Sequence, residues 1–416
     1  MPAKENPPWL FGILSMAYGG VNAITTLLIP FLLRQRGVPV NQIANVVAVA
    51  FLPAAWYFLW SPVVDLGMLR RHWILLAAIV SGLACAAAIA WPPASLAALT
   101  VLLFAANAVS MLLSSACGAV LTAIHPAVRG TASGWYQAGS LGGGALGGGA
   151  TIWLAGFIGP KTLAALCAAL VVLPALAALR LYEEPAHGLK AGALFRALAR
   201  DLWEVLKARR TWAGLAFFLS PVGANALTNL VSSIGPDYRA SAGQVAAVSG
   251  VLGGLVSAAG CLAGGWICDR MSRMKAYTLA GLVSAAFAAW MALGSKTPLT
   301  YFGGYTGYSL GTGFAYAAFT ALVLEVLGKR PHAAGAAYSL LGSSGNMPIA
   351  YMTSVDGLAY RRGGVKGLMT ADGLANAVGA AILLTFAGYA ARRWLPEDRA
   401  AEPIHEQQGD LKTPGA

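Results

Sequence analysis

Charged residues are scarce in this sequence. Of its 416 residues only 11% are Asp, Glu, Lys or Arg, whereas 57% are apolar, and the mean hydropathy is positive. Soluble domains carry about 25% charged residues, which help to cover the surface that faces water. The composition therefore excludes an ordinary soluble protein and indicates an integral membrane protein.

Patterns that would indicate chemistry or nucleic-acid binding are also missing. The five cysteines lie inside apolar runs, without the paired spacing of disulfides or metal ligands. The glycine-rich segments lack the Lys-Ser or Lys-Thr of a phosphate-binding loop, and no basic patch carries interleaved aromatics. A membrane enzyme needs a nucleophile, a base or a metal cluster, and His125 beside Arg129 is too little for one. We predict no enzyme activity, no catalytic residue, no metal, no cofactor and no nucleic-acid partner.

Twelve apolar stretches are long enough to cross a bilayer. A helix needs about 20 residues to span roughly 30 Å of hydrocarbon, and these stretches lack the alternating pattern of barrel strands. We number them spans one to twelve, with predicted limits of 9–33, 43–66, 73–91, 95–124, 131–158, 161–182, 211–235, 243–268, 274–294, 298–326, 333–357 and 370–394. The predicted fold class is an all-α integral membrane protein with twelve transmembrane helices.

Basic residues predict the orientation of these spans. Most of the 28 Lys and Arg residues fall in the connections on one side of the membrane, the side that also holds both termini. Lys and Arg are enriched in cytoplasmic connections. The net charge of +12 is then explained by topology and by contact with anionic headgroups. We predict a multi-pass protein of the cell inner membrane with both termini in the cytoplasm.

The two halves of the sequence repeat one another. NAITT at Asn22 returns as NALTN at Asn225, and the charged segment around Asp65 returns around Asp269. RGTASG before span five corresponds to HAAGAAYS before span eleven. The three pairs have nearly the same offset, which predicts two pseudo-symmetric six-helix bundles.

Polar stretches predict the domain limits. The N-terminal bundle covers residues 1–182 and the C-terminal bundle residues 211–396, with a cytoplasmic linker over 183–210. The linker has an apolar and a charged helical face, which is typical of an amphipathic helix at the membrane interface; a regulatory partner-binding helix is the alternative. Residues 397–416 are polar and are predicted to form a disordered cytoplasmic tail.

Each half carries a charged turn between its second and third spans, and this turn resembles the signature loop of the major facilitator superfamily. That loop has a glycine, an aspartate and several basic residues. The matching positions are Asp65, Arg70 and Arg71 in the first half and Gly265, Asp269, Arg270, Arg273 and Lys275 in the second. The resemblance covers nearly the whole chain and implies the fold of that superfamily, with two six-helix bundles.

The same resemblance implies a gate on the cytoplasmic side. A carboxylate at a helix end can accept hydrogen bonds from basic side chains and face the N-terminus of a neighbouring helix. By resemblance, Asp65 and Asp269 stabilise the outward-facing state in this way. The implied gating residues are Asp65, Arg70, Arg71, Arg129, Asp269, Arg270 and Arg273. The alternative is that the basic residues only enforce topology.

A narrower resemblance lies in three motifs. PFLLRQRGVPVNQIANV, FLWSPVVD and NMPIAYMTSVDG are similar to segments of the AmpG-type muropeptide permeases and the related acetyl-coenzyme A transporters. This branch of the superfamily has an extended first loop of the form L-R-x-x-G-V and an F-L-W-x-P-x-x-D ending to span two. The resemblance implies a permease for solutes of that kind.

Polar residues at helical spacing mark a candidate pathway. The superfamily resemblance implies that spans one, four, seven and ten line a central cavity between the bundles, where transporters bind their solutes. The candidate solute-binding residues are Tyr18, Asn22, Thr25, Asn107, Gln137, Asn225, Thr228, Asn229, Tyr305, Tyr308 and Asn346. The alternative for each is a hydrogen bond to its own helix or to a neighbouring one.

Charge is absent from the central third of every predicted span. A bound anion normally needs an intramembrane Arg or Lys, so a neutral or amphipathic solute is favoured. Asp356 is the candidate for proton coupling. The alternative is a helix-end carboxylate that pairs with Arg361 or Arg362.

Small residues predict close helix contacts on spans five and eight. Gly143 with Gly147, and Gly250 with Gly254, are four residues apart, a spacing that lets backbones approach closely. The superfamily resemblance implies that these two spans meet across the two halves.

These patterns together predict a secondary active transporter that moves a small solute by alternating access, with protons as the coupling ion, and that is similar to the muropeptide and acetyl-coenzyme A permeases. The alternatives are an exporter of drugs or other amphipathic solutes and, in other classes, a membrane enzyme or a non-transporting receptor. The expected partners are a small-molecule substrate, the lipid bilayer and protons, and the expected state is a monomer.

Overall fold

The computed structural model describes residues 6–66, 68–90, 95–183, 191–328 and 333–393, and every regular element in these ranges is a helix. The predicted tail, 397–416, lies outside the described residues. Eight of the spans are regular enough to be given by one range each. They are spans one Pro8–Gln35, three Arg70–Ala90, four Leu96–Thr122, five Arg129–Leu154, six Pro160–Arg180, eight Gly243–Cys268, nine Arg273–Leu293 and ten Pro298–Leu327.

Local signals explain several of these helix starts. Pro8, Pro160 and Pro298 occupy the first helical turn, where a missing backbone N–H costs nothing. Ser95 and Thr297 are N-caps whose side chains accept from backbone N–H groups three residues later. Because lipid leaves no water for open backbone groups, the remaining length is held as helix regardless of its glycine content.

The other four spans are interrupted. Span two consists of Val40–Phe51 and Pro53–Trp56 followed by the 3-10 turns Tyr57–Leu59 and Ser61–Asp65. Span seven is split into Arg209–Phe218 and Leu227–Ile234. Span eleven begins with Ala334–Ser344 and continues into Asn346–Arg393, a helix that also contains span twelve and bends back at Gly363 and Gly364.

These interruptions explain why, in the described part of the chain, fewer than twelve single helices have the length, at least 18 residues, and the apolar composition needed to cross a membrane. Within the described residues, eight helices meet these requirements, and one of them, Ala334–Phe386, contains both spans eleven and twelve. Spans two and seven are divided into pieces that are too short, and the glycine-rich span five is not apolar enough. The prediction of twelve transmembrane helices in an all-α membrane fold is confirmed.

Helix packing follows the predicted halves. In the first half, span one packs on spans five and six, and span three packs on spans four and six. In the second half, span ten packs on spans eight and nine, and span nine packs on span twelve. Spans five and eight pack on each other between the halves, and span eleven packs on spans two and four. The linker contains the helix Ala191–Lys207, which contacts the start of span seven.

The glycine prediction for span five is wrong in detail. A Cβ atom at Gly143 would meet Met16 of span one, and one at Gly147 would meet Leu170 of span six, so both glycines face their own bundle. The face that meets span eight uses other glycines, among them Gly134, whose Cβ would lie 2.6 Å from the carbonyl oxygen of Cys261. Span five is thus lined with small residues on more than one side, and four-residue spacing alone could not show which side meets the other half.

Candidate functional site

Asp65, at the end of span two, binds the N-terminus of span eleven. Its Oδ1 accepts from the backbone N–H of Gly335 at 3.1 Å, and its Oδ2 accepts from that of Ala336 at 2.9 Å. Arg70 donates to Oδ1 at 3.1 Å. The first N–H groups of a helix have no partner within the helix, and the helix dipole favours an anion there. We call this contact the Asp65 latch.

Asp269 makes the corresponding contact in the opposite direction. Its two carboxylate oxygens accept from the backbone N–H groups of Gly130 and Thr131, both at 2.7 Å, at the start of span five. The Thr131 hydroxyl donates to the same carboxylate at 2.5 Å. We call this contact the Asp269 latch. Each latch joins the two halves of the chain, and their positions follow the sequence repeat.

The basic residues around the latches have different contacts. Arg71 donates its backbone N–H to Glu183, which also accepts from that of Arg70 and so caps span three. Arg270 lies over the ring of Trp266, 3.7 Å from its centroid. Neither side chain is bonded to a latch carboxylate among the described residues, in contrast to Arg70, which pairs with Asp65.

Arg129 and Arg273 connect the two halves near the latches in another way. Arg129 is only 6% exposed and donates to the carbonyl oxygens of Ile124 and Leu324, the latter in span ten of the other half. Arg273 pairs with Glu325 at 2.9 Å and donates to the carbonyl oxygen of Pro126. Both arginines therefore add contacts between the halves beside the Asp269 latch.

A cavity of about 220 Å³ lies between the two halves. Both halves contribute to its wall, from spans one, two, four and five and from spans seven, nine, ten and eleven. The lining residues are Tyr18, Asn22, Ala54, Tyr57, Met111, Ser114, Tyr136, Gln137, Ser140, Leu141, Gly223, Ala224, Tyr277, Ala315, Tyr316, Phe319, Thr320, Tyr338, Gly342, Gly345, Asn346, Pro348 and Ile349. None of these is Asp, Glu, Lys, Arg or His, and six are tyrosines.

Four of the sequence-predicted residues line this cavity. Tyr18 and Asn22 come from span one, and the buried amide oxygen of Asn22 has no hydrogen-bond partner among the described residues. Gln137 donates to the Thr320 hydroxyl at 2.7 Å, across the two halves. Asn346 donates to the carbonyl oxygen of Ala54 at 2.8 Å. The wall therefore offers amide and hydroxyl groups that can exchange their present partners in the protein for a bound solute.

The other predicted residues lie outside the cavity lining. Thr25 accepts from Asn107 at 3.1 Å, so this pair joins span one to span four. The remaining residues also have partners within the protein. On span seven, Asn225 bonds to Gly223 and Ser284, Thr228 bonds to Asn225, and Asn229 bonds to Thr353. On span ten, Tyr308 bonds to Asp372, and Tyr305 packs in the same core cluster as Tyr308. For these residues the structure matches the helix-bonding alternative.

Several cavity residues were missed by the sequence reasoning. Tyr57, Tyr136, Tyr277 and Tyr338 come from spans two, five, nine and eleven, whereas most of the predicted residues, Gln137 and Asn346 excepted, lie on spans one, four, seven and ten. These residues could have been predicted from the sequence as tyrosines deep inside apolar spans, because a buried phenol hydroxyl usually needs a polar partner. Tyr136 has such a partner in Ser114, at 2.9 Å.

Span seven is broken beside the cavity. Gly223 and Asn225 have positive φ angles of 69° and 52°, values that suit glycine and, among other residues, asparagine. Asn225 donates to the carbonyl oxygen of Gly223 at 2.6 Å, and its own oxygen accepts from Ser284. The Gly223 N–H is bonded to Asn376 of span twelve at 3.0 Å. Irregular backbone inside a membrane protein occurs where it is held by protein or lines a cavity, and both conditions hold here.

Two carboxyl groups are buried in the second half. Asp356 is 0% exposed, and neither of its oxygens has a hydrogen-bond partner among the described residues, Arg361 and Arg362 included. Asp372 is 1% exposed and accepts from the Tyr308 hydroxyl at 3.1 Å. The sequence prediction considered charge in the central third of each span, and Asp372 lies outside that region, near the start of span twelve. Among the described residues, no group of three or more His, Cys, Asp or Glu side chains could hold a metal ion.

Two helical halves around a polar, uncharged cavity, joined by reciprocal contacts on one side, form the architecture of a multi-pass membrane transporter. The chain belongs to the Major Facilitator Superfamily, whose family model matches residues 10–353. No match was found among curated protein sequences.

Solved structures similar in fold come from the same superfamily. The human organic anion transporter MFSD10 (TETRAN) has a TM-score of 0.66 at 16% identity, over 90% of this chain and 98% of its own. FucP in the outward conformation has a TM-score of 0.66 at 18% identity, over 92% and 98%. The proton:xylose symporter XylE has a TM-score of 0.63 at 12% identity, over 91% and 94%. Identities this low show a shared fold.

Proposed function

We propose that the protein is a secondary active transporter that moves a small neutral solute across the cell inner membrane by alternating access, driven by a proton gradient. The observation that carries this proposal is the cavity between the halves, whose lining has amide, hydroxyl and aromatic groups but no acidic or basic side chain. Solutes held by such groups need no compensating charge, and rejection of ions follows from the cost of burying an unpaired charge. Both termini are proposed to lie in the cytoplasm.

The latches support an alternating-access mechanism. Both connect the halves on the same side of the cavity, the side that the charge distribution assigns to the cytoplasm. A hydrogen bond to a charged group contributes about 1.5–3 kcal/mol, so each latch is strong enough to hold this side closed and weak enough to be exchanged for solute contacts. Release of both latches would open the cavity toward the cytoplasm.

Cavity size and the narrower sequence resemblance together suggest a solute class. About 220 Å³ is below the roughly 300–1,000 Å³ of sites for drug-sized ligands, which favours a solute of about monosaccharide size. Muropeptides and acetyl-coenzyme A both carry anionic groups that this wall does not match. We therefore propose the neutral part of that class, an N-acetylated cell-wall sugar. FucP is described as a fucose:proton symporter and XylE as a proton:xylose symporter, which makes sugars and protons the first candidates to test.

The aromatic wall favours a second candidate, an exporter of amphipathic compounds. Six tyrosines with Phe319 and Met111 give a large adaptable surface for apolar groups. The two candidates differ in which molecules compete for the cavity, so one competition experiment separates them.

Uptake into proteoliposomes under an imposed pH gradient tests the proposal. We expect labelled N-acetylglucosamine or a related neutral sugar to accumulate only with the gradient, and acetyl-coenzyme A to compete poorly. Competition by lipophilic compounds alone would favour the exporter. No gradient-dependent flux of any class would contradict a transporter and leave the receptor or enzyme alternatives.

A matched pair of span-ten variants tests the site itself. Tyr316→Phe removes a hydroxyl from the cavity wall, whereas Tyr301→Phe removes one from the core outside it. We expect the apparent affinity for the solute to fall in the first variant and to stay near wild type in the second. Equal effects would place the solute elsewhere.

A further inference from the structure

Asp356 and Asp372 lie together in the second half of the protein, apart from the cavity lining. Asp356 is on span eleven and Asp372 on span twelve, and both are almost fully buried. The Tyr308 hydroxyl donates to Asp372 at 3.1 Å, and Asp356 lies near enough to both groups for its charge to interact with theirs. We call Asp356 and Asp372 the carboxyl pair.

The surroundings do not neutralise this pair. From span ten it is faced by Tyr308 and the neighbouring Tyr305, and span nine packs on span twelve through Ala285 and Ala288. Asp237, from the outer end of span seven, is engaged by Tyr360 at 2.9 Å. The basic residues nearest along the chain, Arg361, Arg362 and Lys366, are exposed at the turn between the spans.

Two ionised carboxylates in such a place are unfavourable for two reasons. Each loses its hydration without gaining a counter-charge, and the two repel each other. Asp372 is partly compensated by hydrogen bonds, whereas Asp356 has no bonded partner among the described residues. The missing partner is supplied most simply by a proton bound to the pair.

One side chain connects the pair to the cavity wall. Asn376, which is fully buried, donates its amide to Oδ2 of Asp372 at 3.4 Å and to its backbone carbonyl oxygen at 3.1 Å. The amide oxygen of Asn376 accepts from the Gly223 N–H at 3.0 Å. Gly223 lies in the break of span seven and lines the cavity. The distance from a titratable carboxyl to the solute site is thus bridged by one amide.

We propose that the carboxyl pair is a proton-binding site separate from the cavity, and that Asn376 transmits its protonation state to the Gly223 segment. The inference rests on the proposed transport function and names the route of its coupling. When Asp372 is ionised, its Oδ2 accepts from Asn376, and the amide oxygen is directed to Gly223. When a proton from the outer solution binds Oδ2, the carboxyl becomes a donor, and the amide must turn its oxygen toward it.

Turning the amide leaves the Gly223 N–H facing an NH₂ group. Two donors cannot bond to each other, so the broken segment of span seven must shift to find another acceptor. The segment forms part of the cavity wall, and its shift alters the contacts available to a solute. Release of the proton reverses the sequence, so proton and solute binding are linked reciprocally.

Infrared spectroscopy of the full-length protein in proteoliposomes tests the site without any solute. We expect a carboxyl C=O band that disappears as the pH rises and that is lost in Asp356→Asn or Asp372→Asn. Asp237→Asn is the control, because Asp237 is a partly exposed carboxylate at the outer end of the same half. Asp356→Asn breaks no hydrogen bond of the described structure, so it remains informative if the Asp372 variant fails to fold. An unchanged band in Asp356→Asn would overturn the inference.

Transport measurements test the connection through Asn376. In Asn376→Ala we expect the carboxyl band to persist, gradient-driven uptake to be lost and solute counterflow, which needs no gradient, to remain. Gradient-driven uptake equal to wild type in Asn376→Ala, or uptake driven by a Na⁺ gradient at constant pH, would overturn it. If the wild type transports no solute, the proposed function fails, while the infrared experiment still decides the proton site.

Discussion

The two latch aspartates differ in their partners although they occupy equivalent places. The Asp269 carboxylate accepts from two backbone N–H groups at 2.7 Å and from a hydroxyl, whereas the Asp65 carboxylate accepts at 2.9 and 3.1 Å and is supported by Arg70. Shorter charge-assisted hydrogen bonds are the stronger ones. The Asp269 latch is therefore expected to hold the two halves together more tightly than the Asp65 latch.

Cys268 provides a natural reporter for this difference. It is 2% exposed and precedes Asp269 at the end of span eight. In a protein that keeps only this cysteine, Asp269→Asn is expected to raise the rate of maleimide labelling by at least about tenfold, because one lost hydrogen bond to a charged group costs about 1.5–3 kcal/mol. Asp65→Asn is expected to have a smaller effect in the same direction. The control is a protein that keeps only Cys85, which is buried within the first half and should label slowly in every variant. Unchanged labelling of Cys268 would contradict a role of the two aspartates in closure and leave them as residues that only neutralise the basic residues of the topology signal.

Gln137 tests whether the uncharged wall selects neutral solutes. Gln137→Glu keeps the size of the side chain, and the amide donation to Thr320 is replaced by a bond in which the Thr320 hydroxyl donates to the new carboxyl group. A glutamate ionises as the pH rises past about 4.3 in water. Counterflow of the neutral solute relative to wild type should therefore fall with rising pH and recover toward low pH. Gln137→Met, which adds no charge, should show a pH-independent ratio; a pH-independent ratio for the glutamate would contradict charge exclusion.

For individual residues, the sequence predicted the latch aspartates better than it predicted the residues that line the cavity. Asp65 and Asp269 stand in a recognisable motif, and a carboxylate at a helix end has one natural partner, the start of another helix. A polar residue inside a span has several partners of similar energy. Thr25 and Asn107 bond to each other, whereas Asn22 on the same span faces the cavity, and helical spacing alone does not separate these outcomes.

At the scale of elements, the starts of spans five and eleven allow the latches to form. A Cβ atom at Gly130 would lie 2.5 Å from Asp269 Oδ1 and 2.5 Å from the carbonyl oxygen of Gly265. A Cβ atom at Gly335 would lie 2.5 Å from Cγ2 of Val64 and 3.2 Å from the Asp65 oxygens. The first position is closed by a carboxylate and rigid backbone, and the second mainly by a methyl group.

Alanine substitution at these two glycines is expected to be unequal. Gly130→Ala should separate span five from Asp269 and raise Cys268 labelling, because backbone cannot yield as a side chain does. Gly335→Ala should be milder, because the Val64 side chain can move. Labelling rates of the two variants in the background that keeps only Cys268 provide the comparison. A larger effect for Gly335→Ala would contradict the geometry of the latches.

The regular spans were predictable because their length and apolarity are set by the bilayer. The breaks were not. Span seven reads as one apolar stretch, yet it is divided at 219–226, where Pro221 and Gly223 supply a turn and Asn376, far along the chain, supplies the acceptor. A distant partner of this kind leaves no trace in the local pattern.

At the scale of the whole molecule, the repeat places two equivalent contacts on one side of the cavity. Each half contributes one aspartate and one helix start, so neither half can move away without releasing both latches. In the proposed mechanism, proton binding in the second half and solute binding between the halves act on the same closed arrangement. The sequence repeat predicted this symmetry, whereas the depth and lining of the cavity depend on packing between distant spans.

The most direct test measures the distance between the two halves at the ends that carry the latches. His72 and Lys275 are exposed in the first turns of spans three and nine, and both can carry spin labels in a protein without its native cysteines. For the labelled parent protein, pulsed electron paramagnetic resonance should give one short distance, and the variant with both Asp65→Asn and Asp269→Asn should add a longer one. The same single distance in both proteins would contradict closure by the latches.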